Sequence, residues 1–149
     1  MLTAANWGGQ GLHLRGNFEG FYRAASKQKW LEAHGLEHWT EFYTAYGVAI
    51  QRRFFDHFLK GVDNGWDREP RVRLKVRHVD RFEERVEDDW PIPRTRWTTL
   101  HLDPSAGGGQ GALSATPPAG PASVTFDAMG DGITFMSAPL ERETEITGP

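Results

Sequence analysis

The sequence predicts two parts in tandem, an α/β segment followed by an all-β segment. Three observations carry that reading. Two helical faces flank a short apolar strand within the first sixty residues. Strict apolar/charged alternation appears first at Arg71–Arg77. Short strand-like runs then continue to the end, joined by Gly- and Pro-rich links.

Met1–Trp7 reads as the tail of a buried strand running into the Gly8-Gly9-Gln10-Gly11 loop. A helix is expected over 16–26, with Phe18, Phe21, Tyr22 and Ala25 on one apolar face. Trp30–Ala33 suits a short buried strand ending at His34-Gly35. The stretch 41–46 carries aromatics on a loop or a first helical turn. The clearest helix spans Ala45–Lys60, with Val48, Arg52, Phe55 and Leu59 on one stripe and Phe54 and Phe58 beside it. Gly61 stands where a left-handed C-cap is expected, and Lys60 complements the helix dipole.

Past Gly61 the character changes. Val62–Trp66 is a turn. Over Arg71–Arg77, Val72, Leu74 and Val76 face one side and Arg71, Arg73, Lys75 and Arg77 the other, the pattern of a half-buried antiparallel strand. Trp90–Pro93 is a rigid extended link, 98–102 alternates again, and 104–121 is a long loop. Val124–Phe126, Ile133–Phe135 and 143–147 are expected as further strands. No internal repeat is visible, and the second part suggests a sandwich. The C-terminus stops directly after a strand-like alternation, so both ends read as cut from a longer protein.

Composition narrows the function classes. The chain has 149 residues, 38% of them hydrophobic, with six Trp and nine Phe. That supplies a buried core and argues against disorder. A net charge of -3 is too weak to imply nucleic acid or an anionic membrane as partner. No apolar run approaches the ~20 residues of a membrane span, and the N-terminus lacks a signal-peptide pattern. There is no Cys, which removes disulfides and thiolate-bound metal and fits a cytoplasmic protein.

His34-Gly35-Leu36-Glu37-His38 is the most chemical stretch. Two His four apart would share a metal on a helix, but Gly35 and the strand-like approach argue against one. From the residues alone, a structural histidine is favoured over a general base on the loop after a strand. Residues 8–11 lack the Lys-Ser/Thr ending of a phosphate loop and read as a strand-to-helix turn. The basic run Arg68–Arg85 is interleaved with acids and reads as one solvated strand face. Trp39, Phe42, Tyr43 and Tyr46 line a pocket or, more commonly, pack.

Several phrases, in order and correctly spaced, resemble a known family: Arg52-Arg53-Phe54-Phe55-Asp56-His57-Phe58-Leu59-Lys60-Gly61, then Asp63-Asn64-Gly65-Trp66, Glu69-Pro70-Arg71-Val72-Arg73-Leu74, and Trp90-Pro91. Upstream, Asn6-Trp7, Leu12–Gly16 and Lys29–Gly35 look like one branch of the same group. The sequence is similar to the join between catalytic and C-terminal domains in the Xaa-Pro dipeptidyl-peptidase and cocaine-esterase-like hydrolases. The resemblance implies the C-terminal edge of an α/β-hydrolase domain over 1–61 and a partial jelly-roll β-sandwich over 62–149. It implies a serine hydrolase acting by acyl transfer on ester, amide or X-Pro peptide bonds, with a small ester or short peptide as substrate and no cofactor or metal. No Gly-x-Ser-x-Gly elbow occurs in these residues. The family's acid falls at Gly9, which cannot serve. Its base falls at His34 or His38, with His34 preferred. A degenerate binding-only member and a β-sandwich interaction module are the alternatives.

Overall fold

A computed structural model describes residues 1–8, 12–37, 39–106 and 109–147. The chain forms two compact units, Met1–Thr95 and Arg96–Thr147.

The first unit is built on a four-stranded sheet. Strand β1 (Leu2–Asn6) leads through helix α1 (Leu14–Arg23) to strand β2 (Trp30–His34), which lies parallel to β1 with Leu2 opposite Trp30 and Asn6 opposite His34. Two further strands, β3 (Val72–Arg77) and β4 (Phe82–Glu87), complete the order β1-β2-β3-β4. β3 runs parallel to β2 and β4 antiparallel to β3. The sheet therefore continues past Gly61. Between β2 and β3 lie a short helix α2 (Thr40–Tyr43), the long helix α3 (Ala45–Lys60) and a 3-10 turn at Trp66–Arg68.

All five residues of β2 are buried. Strand side chains alternate between faces, and β2 divides accordingly. Leu31 and Ala33 join Ala5, Phe18, Phe21, Val72, Leu74, Trp90 and Ile92 in one core cluster beneath α1. Trp30 turns to the opposite face, where its ring lies 5.7 Å from Phe58 and 5.5 Å from the fully buried Trp66. The two helices thus cover opposite faces of β2.

Two helices begin and end near their expected places, but their buried faces are narrower. On α1, Phe18 and Phe21 are buried whereas Tyr22 is exposed, and Ala25 lies past the end of the helix. On α3, the expected stripe of Val48, Phe55 and Leu59 is exposed, and Phe54 and Phe58 instead meet Trp30. Docking of α3 is set by the aromatic bodies that reach Trp30 and Trp66. Thr44 caps α3, its Oγ1 accepting from the Gly47 amide at 3.0 Å, and Gly61 ends it at φ 66°. The Trp90–Ile92 segment, expected as a link, is buried, with a cis Trp90–Pro91 peptide and Trp90 edge-on to Phe18. The expected solvated face of 68–85 is two paired strands, β3 and β4.

The second unit holds a three-stranded sheet of β5 (His101–Asp103), β6 (Gln110–Ser114) and β7 (Thr134–Met136) in that order. β6 lies inside the stretch expected as a long loop. Its Gly111 explains the discrepancy, because a Cβ there would meet the Phe135 ring at 2.5 Å and the Asp103 carbonyl at 2.8 Å. A glycine that reads as a loop signal is here what lets three strands close up. Val124–Phe126 and 143–147 are not strands, since alternation without a pairing neighbour leaves backbone groups to solvent.

Steric contrast between two helical glycines gives a stability test. A Cβ on Gly47 would sit 2.0 Å from the Glu41 carbonyl oxygen, whereas one on Gly16 meets nothing within 4 Å. Gly47→Ala is expected to destabilise the protein by about 2 kcal/mol or more, through forced separation of α2 and α3. Gly16→Ala is expected to be neutral or stabilising by roughly 0.5–1 kcal/mol. Urea unfolding of both variants checks the order.

Candidate functional site

The pleat of β2 places Trp30, Glu32 and His34 on one face, at i, i+2 and i+4. Trp30 is taken up by aromatic packing. Glu32 and His34 are left facing inward, 4% and 8% exposed. His34 Nδ1 stands 3.9 Å from Glu32 Oε1. His34 is the last residue of the strand rather than the first past it, and its carbonyl accepts from the Trp7 amide at 3.0 Å. That bond ties the carboxyl ends of β1 and β2 together.

Three other elements complete the site. Tyr46, on the first turn of α3, donates its hydroxyl to Glu32 Oε1. Glu41, on α2, is 5% exposed and lies 3.5 Å from Lys75 Nζ. β3 presents Arg73, in register with Glu32, and Lys75 beside it. Arg73 is paired with Glu84 of β4 and with Glu69, the latter at 3.3 Å. These residues enclose a cavity of about 170 Å³ lined by Glu32, His34, Glu41, Tyr46, Arg73 and Lys75 together with Ala33 and Glu84.

Burial dominates the electrostatics. It pushes the Glu32 carboxyl above its ordinary value, opposed by the Tyr46 hydrogen bond and by Arg73. It pushes the His34 imidazole below its ordinary value, opposed by the charge of Glu41. Tyr46 is raised, by burial first and by its bond to Glu32 second. A neutral imidazole at the end of a buried strand, next to carboxylates, can take a proton from a neighbouring hydroxyl.

His34 is therefore where a base would be useful. His38, the alternative base, and Gly9, at the family's acid place, lie outside the described residues. Of the aromatic cluster only Tyr46 reaches the cavity; Trp39, Phe42 and Tyr43 are more than half exposed. The reading of one solvated basic face is corrected here, because Arg73 and Lys75 line this cavity and Lys75 meets the buried Glu41. Glu32, Glu41, Arg73 and Lys75 were not singled out by motif. The available signal was Glu32 and His34 alternating with Leu31 and Ala33 in an apolar strand. Among the described residues no group of three or more His, Cys, Asp or Glu could hold a metal ion, and no helix is long and apolar enough to cross a membrane.

Comparison with known proteins decides the family. Residues 64–149 match the model of the X-Pro dipeptidyl-peptidase C-terminal non-catalytic domain. The chain belongs to the Xaa-Pro dipeptidyl-peptidase and cocaine-esterase-like family. It is 30% identical over 101 residues to the cocaine esterase of Rhodococcus sp. (strain MB1 Bresler), a match covering 68% of this chain and 16% of that protein. It is also similar to a CocE/NonD family hydrolase from Staphylococcus aureus. Two crystal structures of that hydrolase match with TM-score 0.66 at 37% and 38% identity, over 77% of this chain and 20% of theirs. The chain thus spans about one-sixth to one-fifth of the length of these relatives. The family is one of hydrolases with a non-catalytic C-terminal domain, and this chain is sheet-rich.

The Glu32 carboxyl gives stability a definite pH dependence. Its folded titration lies above the ordinary 4.5. Its stabilising contribution is then fully present below about pH 4.5 and is lost as pH rises through the folded titration. His34 acts in the opposite sense, its contribution being present above its ordinary 6.5 and lost as pH falls. Glu32→Gln removes the first effect, so the urea midpoint of the variant should decline less than that of the parent from about pH 4.5 to 8.

Proposed function

We propose that this chain is part of a serine hydrolase that cleaves ester, amide or X-Pro peptide bonds by acyl transfer. Residues 1–61 are assigned to the C-terminal edge of its α/β-hydrolase domain and 62–149 to the opening of a jelly-roll domain. The observation that carries the reading is the parallel β1-α1-β2 unit with a buried histidine at the carboxyl end of β2. Functional groups of open α/β sheets gather at that end of the strands. The match to a C-terminal non-catalytic domain from residue 64 onward supports a join near Gly61.

In this reading His34 is the general base. It takes the proton of a serine supplied by another part of the hydrolase, whose alkoxide attacks the carbonyl of a small ester or short peptide. It later returns that proton to the leaving group. This chain by itself has no Gly-x-Ser-x-Gly elbow. Purified alone, it should not turn over activated aryl esters or an X-Pro chromogenic amide, and turnover blocked by a serine-directed reagent would contradict that.

In the intact hydrolase, His34→Ala should lower kcat/KM by roughly three or more orders of magnitude, and His38→Ala by little. Circular dichroism confirms that both variants fold. A dead His38→Ala beside an active His34→Ala reverses the assignment. Gly9 at the family's acid place favours a second reading, a binding-only relative. That reading predicts no serine-dependent turnover even in the intact protein.

A further inference from the structure

We propose that Glu32 is the positioning residue for His34, the carboxylate that receives the imidazole Nδ1–H in place of the acid lost at Gly9. This rests on the reading of His34 as general base. A base that must accept a proton at Nε2 needs its other nitrogen protonated and held, and a buried carboxylate does both. With Gly at the family's place, that carboxylate must come from elsewhere.

Glu32 is placed for the task by the strand itself. Residues i and i+2 of β2 share a face, so no loop conformation has to be right for the two groups to meet. Glu32 Oε1 stands 3.9 Å from His34 Nδ1, and both side chains are buried. The neighbouring cavity of about 170 Å³ gives the imidazole room to swing the remaining distance, roughly 1 Å, to hydrogen-bond length. The carboxyl is itself held, because Tyr46 donates to the same Oε1 and α3 fixes Tyr46. Movement is left to the ring.

Among the described residues, the other charged groups facing this pair are Glu41, Lys75, Arg73 and Glu84. Glu41 is the rival carboxylate, but it lies within ion-pair distance of Lys75. Arg73 sits opposite Glu32 in the β2-β3 register and favours its ionised form, against burial. During turnover the serine Oγ proton passes to Nε2, and the imidazolium is stabilised by ionised Glu32. The proton then leaves on the departing group, with Glu32 unprotonated throughout.

The test uses the intact hydrolase with ring-15N-labelled histidine. In the parent, neutral His34 should carry its proton on Nδ1. In Glu32→Gln the amide oxygen stays with the Tyr46 hydroxyl and is a weaker, uncharged acceptor, so the preference for Nδ1–H should weaken. The kcat should fall by roughly 10²-fold or more with KM within a few-fold, because the imidazolium loses its carboxylate. The proposal is overturned if parental His34 is protonated on Nε2, a measurement that does not depend on whether Glu32→Gln folds. It is also overturned if Glu32→Gln keeps near-parental kcat while His34→Ala is inactive, in which case the base reading survives. If His34→Ala is itself active, both readings fall together.

Discussion

The complete burial of β2 is the constraint on which the rest of the first unit depends. Parallel pairing with β1 along its whole length and with β3 over Leu31–Ala33 encloses the strand between neighbours, and all five of its residues are buried. A strand so enclosed is normally uniformly apolar. This one is not, because Glu32 and His34 occupy two of its five positions. Their burial costs solvation free energy that nearby polar partners must offset. Tyr46, Arg73, Lys75 and Glu41 are arranged accordingly. The cavity and its charges follow from two polar residues on the wrong strand for polar residues.

The same strand sorts the packing. Leu31 and Ala33 commit one face to the α1 core, where Phe18 meets Trp90. Trp30 commits the other face to α3, and Phe54, Phe58 and Trp66 gather around it. Anchoring α3 through Trp30 fixes where its first turn lies, and hence where Tyr46 delivers its hydroxyl. Gly47 permits the close approach of α2 that brings Glu41 inward. Aromatic packing at one end of β2 thereby positions polar chemistry at the other.

Much of this was legible in the residues. The helix Ala45–Lys60 and its Gly61 cap follow from periodicity and the left-handed tolerance of glycine, which are local properties. The strand at Val72–Arg77 follows from alternation, and His34 stood out as the chemical residue near a strand end. Less legible was anything that depended on a partner. Val124–Phe126 has a strand-like sequence without a neighbour, whereas Gln110–Ser114 pairs on both sides despite a loop-like composition. Phe55 and Phe54 are adjacent and chemically identical, yet only the position of Trp30 decides that Phe54 packs and Phe55 is exposed.

The sequence by itself determined the family, the main helices, the first two buried strands and the stretch in which a base should lie. These rest on short-range periodicity and on phrases whose order and spacing are written in the chain. Only the tertiary structure decided which carboxylate stands beside His34, that Arg73 and Lys75 face inward, and that the first sheet runs past Gly61. The reason is physical. A side chain's ionisation and hydrogen bonds are set by what surrounds it, and Glu32 is met by Tyr46 and Arg73, 14 and 41 positions away along the chain.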